Sequence, residues 1–184
     1  MKRRNFLKSV AATFPFALSH PFALGTEPLE FPIKEAHVVL AGEDINSESR
    51  TLGFSHISFK ISTQETGGNF FLFEHSNLVP GGPPLHFHYD QEEWFYVMEG
   101  EVLFQVGEKR IQLKAGDSVL APRKVPHAFT AVGAKPAKLL IAYSPAGKME
   151  QFFRDMAHGK VDLMDATLFR KYGCELVGPP LRTT

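Results

Sequence analysis

The sequence comprises 184 residues, with 20 basic and 20 acidic side chains that give a formal net charge of zero at pH 7. No excess of positive charge would attract nucleic acid or an anionic membrane, so we expect a small-molecule partner that is recognised locally. A single cysteine excludes an internal disulfide, and the fold must therefore be stabilised by its core. The length suits one domain, which we predict over residues 26–184, and excludes a second catalytic domain.

The first 25 residues predict an export signal that is removed from the mature protein. Arg3-Arg4 precedes the tripeptide Phe-Leu-Lys, and an uncharged stretch over 9–19 follows that is too short to span a bilayer. This order resembles a bacterial twin-arginine signal, which implies export of an already folded protein to the periplasm. The sequence is compatible with cleavage after Ser19 or near Ala23. The alternative, an N-terminal helix of the mature protein, is disfavoured by two prolines in this segment.

The region from Ile33 to Tyr143 predicts an all-β domain with a core barrel over about 33–145. Short apolar or alternating runs are separated there by Gly, Pro, Asn and Asp at the spacing typical of a barrel or sandwich. Tight turns are predicted at Glu99-Gly100 and Gly107-Glu108, which favours antiparallel pairing. The predicted strands are Glu35–Leu40, Phe54–Ile61, Asn69–Glu74, Leu85–Tyr89, Glu93–Met98, Glu101–Val106, Lys109–Leu113, Ser118–Ala121, His127–Ala131 and Ala137–Tyr143.

Short helices are predicted in the C-terminal extension over 146–184. One amphipathic helix is indicated by apolar residues at i, i+3, i+4 and i+7, namely Met149, Phe152, Phe153 and Met156. A second helix is predicted to begin at the N-cap Asp165 and to end at Gly173, with three side chains facing inward: Leu168, Phe169 and Tyr172. The tail over 177–180 is predicted to be extended.

Four residues have the types and positions of metal ligands. His86 and His88 are two apart in a strand, so their imidazoles lie on the same face. Glu93 opens the next strand after a polar bend, and His127 begins another strand, so both can reach the same interior point. Three imidazoles and one carboxylate suit a divalent transition metal ion, which could be Fe, Mn, Ni, Cu, Co or Zn, and disfavour Ca and Mg.

Other residues compete weakly with these four. Glu92 is adjacent to Glu93 but lies on the opposite face of the strand from Phe95 and Val97, which should point into the barrel. The alternate residues Trp94, Tyr96 and Met98 are also apolar, which predicts burial of both faces of this strand by a helix or a second subunit. The remaining histidines have no partner at ligand spacing, so we assign them surface or packing roles: His20, His37, His56, His75 and His158.

The segment Gly81-Gly82-Pro83-Pro84-Leu85-His86-Phe87-His88, followed by Glu93 and Gly100, resembles the first motif of the cupin superfamily. Gly116, Pro122 and His127 resemble the second motif. Lys124 stands where that motif usually has Gly, and Ala131 where it has Asn, but all four candidate ligands are kept. The resemblance covers about 68–147 and implies a double-stranded β-helix, or jelly-roll, barrel that holds one metal ion and forms a homodimer.

The tail resembles single-domain cupins similar to quercetin dioxygenase, in the segments Phe152-Phe153-Arg154, Lys171-Tyr172-Gly173 and Gly178-Pro179-Pro180. This resemblance implies a metal-dependent dioxygenase acting on an aromatic or enolic small molecule. Glu93 would then be both a ligand and the catalytic acceptor of a substrate proton. The predicted substrate pocket consists of apolar residues that should point inward: Phe95, Val97, Phe104 and Phe129.

Two other functions stay open from the sequence. The same four ligands could belong to a non-catalytic periplasmic cupin that binds a metal or another ligand without turnover. An open coordination position would distinguish a catalytic site from such a structural one. A cupin-type isomerase or epimerase is the third alternative, and it predicts an incomplete histidine cluster, whereas this cluster is complete. A nucleic-acid-binding regulator is disfavoured because neither a helix-turn-helix segment nor a basic stripe is present.

Overall fold

The computed structural model describes residues 35–157 and 162–183. The predicted export signal lies outside these residues. In chain order the elements are β1 (Arg50–Leu52), β2 (Ser55–Ile61), β3 (Phe71–Leu78), β4 (Pro84–His88), β5 (Glu92–Glu99), β6 (Glu101–Val106), β7 (Lys109–Lys114), β8 (Ser118–Ala121), β9 (His127–Val132), β10 (Ala137–Ser144), α1 (Met149–Ala157), α2 (Ala166–Lys171) and β11 (Cys174–Pro180).

The strands form two antiparallel sheets, which confirms the predicted jelly-roll barrel. A six-stranded sheet has the order β1-β2-β3-β10-β5-β8, and a five-stranded sheet has the order β11-β4-β9-β6-β7. Along β5, Glu93, Phe95 and Val97 are buried and alternate with the half-buried Trp94 and Tyr96. This period of two follows from the strand pleat, and it places every second side chain in the interior between the sheets.

The first predicted strand, Glu35–Leu40, is wrong. The structure has no strand over residues 35–40, where Val38 is 74% exposed. The chain is instead held after this segment by the buried Asp44 carboxylate, which accepts a hydrogen bond from the Phe59 N–H at 2.7 Å and forms an ion pair with Arg50. The apolar residues of this segment alternate as in a strand, but they have no neighbouring surface to pack against. The alternation alone therefore does not predict a strand here.

The other nine predicted strands correspond to β2 through β10, with ends that differ by up to four residues. The largest difference is at β3, which runs to Leu78 rather than ending at Glu74. The predicted extended tail is part of β11, which pairs with β4 through Cys174 opposite His88 and Leu176 opposite His86. The C-terminal extension therefore supplies a strand of the five-stranded sheet.

The two predicted helices are confirmed. In α1 all four residues of the predicted stripe are buried: Met149, Phe152, Phe153 and Met156. In α2 the Asp165 side chain accepts a hydrogen bond from the Thr167 N–H at 2.8 Å and so caps the helix. Phe152 of α1 packs against Phe169 of α2, with ring centroids 5.8 Å apart. Neither helix in the described part of the chain has the length and apolar character that a membrane span would need.

The outer face of β5 is covered less than its sequence predicts. Trp94 and Tyr96 stack with ring centroids 6.0 Å apart and are half-buried, but Met98 is 39% exposed. The described residues therefore cover this face only in part. Burial of this face by a second subunit stays a prediction.

Candidate metal centre

The four candidate ligands meet inside the barrel. His86 and His88 lie on β4, His127 on the neighbouring β9, and Glu93 on β5 of the other sheet. Each offers one ligand atom, and these atoms lie within 4.8 Å of one another. All four residues are buried. The cluster joins the two sheets, because three ligands come from one sheet and the carboxylate comes from the other.

The backbone before β4 is shaped by a close approach to β9. Gly82 has a φ of +96°, and a Cβ atom at this position would collide with the backbone oxygen of Phe129. Only glycine combines this conformation with this contact. The register that follows places His86 directly opposite His127. The glycine of the motif is thus required for the spacing of two candidate ligands.

The turn before β9 contains a strained residue. Lys124 has a φ of +64°, in the left-handed region that favours glycine. Its N–H donates a hydrogen bond to the His88 backbone oxygen at 2.8 Å. This conformation explains why a glycine is usual at this place in the motif. The turn joins β8 to β9, the strand that carries His127, and this hydrogen bond ties it to the end of β4.

Hydrogen bonds orient two of the imidazoles. His86 Nδ1 lies 2.8 Å from the Pro84 carbonyl oxygen, and His127 Nδ1 lies 2.9 Å from the Val125 carbonyl oxygen. Because a carbonyl oxygen only accepts, both Nδ1 atoms must carry a hydrogen. For His127, Nε2 faces the cluster, and in the neutral ring this atom presents a lone pair. Such bonds to the second ring nitrogen are typical of metal-binding histidines.

The Glu93 carboxylate is held from three sides. Its Oε2 lies 2.7 Å from His127 Nε2 and 3.0 Å from His88 Nε2, while Oε1 accepts a hydrogen bond from the Tyr143 hydroxyl at 2.6 Å. Burial raises the pKa of this carboxyl, but hydrogen bonds with His127 and His88 outweigh it and hold the pKa well below its usual range. Glu93 is therefore ionised at neutral pH.

The donor set fits a metal ion. Burial lowers the pKa of His86 to about 3 and also lowers the pKa of His88, so both imidazoles are neutral near pH 7. The Glu93 oxygen and His127 Nε2 lie 2.7 Å apart, so either a proton or a cation must lie between them, since two facing lone pairs would repel. Three nitrogens and one oxygen that converge in this way could hold a divalent transition metal ion.

A cavity of about 50 Å³ adjoins the cluster. Two of the four candidate ligands, His86 and Glu93, lie on its wall together with the polar residues His75, Tyr143 and Cys174. The rest of the wall is apolar: Leu52, Phe54, Phe73, Pro83, Phe129, Ile141, Met149, Phe152, Phe153, Leu163 and Phe169. The cluster is therefore reached from an apolar chamber that the C-terminal helices help to close.

Only one of the four predicted pocket residues lies on this cavity. Phe129 is part of the wall, whereas Phe95, Val97 and Phe104 are not. Phe95, Phe104 and Phe129 form a ring cluster with centroids 5.1 to 5.9 Å apart, and Val97 is fully buried beyond it. The predicted wall is thus corrected, because strand parity indicates which face is inward but not which end of the barrel is open.

Three residues of the cavity wall were not predicted to be functional, and one of them, His75, was assigned a surface or packing role: Tyr143, Cys174 and His75. Tyr143 continues the inward parity of Leu139 and Ile141 on β10, which is a signal that could have identified it. Cys174 Sγ lies 3.2 Å from His88 Nδ1, and burial raises the pKa of this thiol. Cys174 reaches the site because it lies on β11, opposite His88. The sequence shows no clear strand pattern at Cys174, so this position was not predicted.

Comparisons with known proteins agree with the fold. Residues 75–143 match the family described as Cupin domain. A 70-residue stretch is 36% identical to an uncharacterised protein of Methanocaldococcus jannaschii and covers 37% of this chain and 56% of that protein. A 57-residue stretch is 40% identical to 3-hydroxyanthranilate 3,4-dioxygenase of Xanthomonas euvesicatoria and covers 27% of this chain and 32% of that enzyme. The chain thus spans about half and about a third of the length of these relatives.

A solved structure supports the same conclusion. An RmlC-like cupin from Shewanella frigidimarina superimposes with a TM-score of 0.52 at 19% identity, covering 63% of this chain and 96% of that protein. At this identity the likeness concerns the fold alone. Residues 75–143 thus match the Cupin domain family, and the structural likeness supports the same barrel fold.

Proposed function

We propose that this protein is a metal-dependent dioxygenase that acts on a small aromatic or enolic molecule. The observation that carries this proposal is the position of the four-donor cluster, which meets an apolar cavity through His86 and Glu93. A structural metal site is enclosed by protein ligands, whereas a catalytic site keeps one side open to substrate. The cavity provides that open side.

The chemistry requires little beyond the metal and oxygen. A bound metal ion would polarise a substrate oxygen and, if redox-active, exchange electrons with O2. A dioxygenase transfers both atoms of O2 to its substrate, so no external reductant is needed. The protein itself has to bind the substrate, exclude water and remove a proton from the substrate hydroxyl.

Glu93 is the residue that we assign to the proton. Oε2 faces His88 and His127 and is the atom suited to ligation, whereas Oε1 accepts from the Tyr143 hydroxyl and has further acceptor capacity. A substrate hydroxyl in the cavity could therefore give its proton to Oε1. Tyr143 acts as a positioning residue because its hydrogen bond restrains the rotation of the carboxylate.

The cavity and one relative support a small hydroxylated aromatic substrate. A volume of about 50 Å³ accommodates only a few water-sized groups, which disfavours a molecule as large as a flavonol in this conformation. Phenylalanine rings dominate the wall, which suits an aromatic body. The Xanthomonas relative is named for a dioxygenase reaction on 3-hydroxyanthranilate, a phenol, although the match covers 32% of that enzyme.

A second candidate is a protein that binds a metal or a small ligand without turnover. The small cavity volume and the covering rings of Phe152, Phe153 and Phe169 favour this alternative. An isomerase or epimerase receives less support, because it does not require the complete set of four ligands found here.

The first test measures metal and oxygen chemistry in one sample. The chain from about residue 26 would be loaded with each candidate metal and its metal content determined by elemental analysis. Oxygen uptake would then be followed with catechol, 3-hydroxyanthranilate, a small enediol and a flavonol. We expect about one equivalent of metal per chain and uptake with at least one small substrate.

Matched variants give this test its specificity. His86→Ala combined with His88→Ala should abolish metal binding while the barrel stays folded by circular dichroism, because both side chains lie among the donors. The control His56→Ala removes an exposed histidine of β2 and should leave the metal content unchanged. Unchanged metal content in the double variant would refute the metal site. Bound metal without oxygen uptake on any substrate would favour the binding protein.

A further inference from the structure

His75 is a buried polar residue that the proposed reaction does not use. It lies on β3, is 2% exposed and is part of the cavity wall. Its Nδ1 has no hydrogen-bond partner among the described residues. Its Nε2 has one distant contact, to Ser55 Oγ at 3.5 Å. A buried polar atom without a partner is unfavourable, so such an atom in a native protein requires an explanation.

The other polar residues of the cavity wall are already paired. The Tyr143 hydroxyl donates to Glu93, His86 Nδ1 contacts the Pro84 carbonyl oxygen, and Cys174 Sγ contacts His88 Nδ1. Four buried side-chain atoms lack a partner within 35–157 and 162–183, and of these only the His75 nitrogen belongs to a residue of the cavity wall. Apart from the candidate metal ligands, His75 is therefore the polar residue of this wall, among the described residues, that has a ring nitrogen without a partner.

Aromatic rings surround His75, and the charged group that acts on it is the Glu93 carboxylate of the cluster. Its ring lies 5.5 Å from Phe73 and 5.9 Å from both Phe54 and Phe129, measured between centroids, and the Phe73 and Phe129 rings meet it edge to face. Burial lowers the pKa of His75 to about 3, so the ring is neutral and can either donate or accept one hydrogen bond at Nδ1. A charged group opposite it would be poorly solvated, whereas a hydroxyl would not.

We infer that His75 binds a second polar group of the cavity ligand, so that the ligand is an uncharged aromatic molecule with two hydroxyl groups. One hydroxyl faces Glu93 and His86, and the other forms a hydrogen bond with His75 Nδ1. This inference rests on the proposed function for the first hydroxyl and extends it to the second. It makes His75 a residue that determines specificity, and it leaves the chemical step to the metal cluster.

The test compares ligands that differ by one hydroxyl. Binding of phenol and of the three dihydroxybenzenes, catechol, resorcinol and hydroquinone, would be measured by calorimetry without oxygen, using the zinc-loaded and the metal-free protein. In the wild type we expect at least one dihydroxybenzene to bind about tenfold more tightly than phenol, which is the usual effect of one buried hydrogen bond.

Two substitutions at position 75 separate hydrogen bonding from shape. His75→Phe removes the nitrogens but keeps a ring, and it should abolish the gain from the second hydroxyl while changing the affinity for phenol by less than about twofold. His75→Gln keeps an amide that can hydrogen-bond and should restore part of the gain. The control His56→Phe changes an exposed histidine and should have no effect.

The outcomes distinguish this inference from the proposed function. A gain from the second hydroxyl that persists in His75→Phe, no gain in the wild type, or an equal loss for all ligands would overturn the role of His75. A gain that depends on His75, in a protein that binds no metal or consumes no oxygen, would support the role of His75 and contradict only the dioxygenase.

Discussion

The two ends of the barrel interior are equally buried but differ in chemistry. Near one end of β5, Glu93 lies opposite Tyr143; the tyrosine hydroxyl donates a hydrogen bond to Glu93, and Glu93 in turn contacts the histidine cluster. Four residues further along β5, Val97 lies opposite Leu139, and both are fully buried and apolar. Burial alone therefore does not mark the functional end. The charged carboxylate at the polar end is tolerated because it has hydrogen-bond partners, whereas His75 Nδ1 on the same cavity wall has none among the described residues.

The packed end should control stability without affecting the metal. Phe104→Ala removes a ring that contacts Phe95 and Phe129 and leaves a cavity among fully buried side chains. We expect the free energy of unfolding of the metal-free protein to fall by about 3–5 kcal/mol, measured with urea. Leu120→Ala, at a residue that is 50% exposed, is the control and should change it much less. A loss of metal from the folded Phe104 variant would show that the ends are coupled.

The polar end should control metal affinity while the fold is retained, and Tyr143→Phe tests this. This substitution removes the hydrogen bond to Glu93 Oε1 and keeps the ring. We expect the metal affinity to fall about 10- to 100-fold, as is usual when the partner of a ligand is removed, with the fold retained. Metal competition with a chelator measures this effect. Tyr89→Phe removes the hydroxyl of a tyrosine that bonds to Glu175 at the surface, and it should leave the affinity unchanged.

A lower pH should reduce the free energy of unfolding through His75. Burial lowers its pKa in the folded protein to about 3, whereas the unfolded chain has the ordinary value of 6.5. Between these values the unfolded chain binds the additional proton, so the free energy of unfolding falls as the pH decreases. From pH 7 to pH 5 the wild type should lose about 2 kcal/mol more than His75→Phe. Urea unfolding of both metal-free proteins at the two pH values measures this, and parallel losses would contradict it.

The smallest effect is expected at the turn that supports the polar end. Lys124 has a left-handed conformation, which is unfavourable for a residue with a Cβ. Lys124→Gly keeps the N–H that bonds to His88 and should raise the free energy of unfolding by up to about 1 kcal/mol. Lys135→Gly, in an exposed loop, is the control and should not stabilise the protein. A destabilised Lys124 variant would show that the lysine side chain contributes contacts that outweigh the strain.

The ligand cluster could be predicted from the sequence because residue spacing and strand parity, which are local patterns, identify its members. The spacing of His86 and His88 places two imidazoles on one face of a strand, and parity selects Glu93 over its neighbour. Glu92 indeed lies outside the cluster, in an ion pair with Arg123 at 2.5 Å. The predicted strand at 35–40 failed because alternation shows how a segment could be buried and not whether a partner surface exists. Metal identity, export and dimer formation stay predictions.

By itself, the sequence determined the all-β barrel, both C-terminal helices and the residues that converge in the cluster, because period, turn residues and motif spacing are local properties. Only the tertiary structure decided which end of the barrel is open, because this depends on where α1, α2 and β11 pack against the sheets. It also decided the partners of Glu93 and the isolation of His75, since these contacts join strands far apart in the chain. Strand parity specifies a direction for each side chain, and packing specifies what that side chain meets.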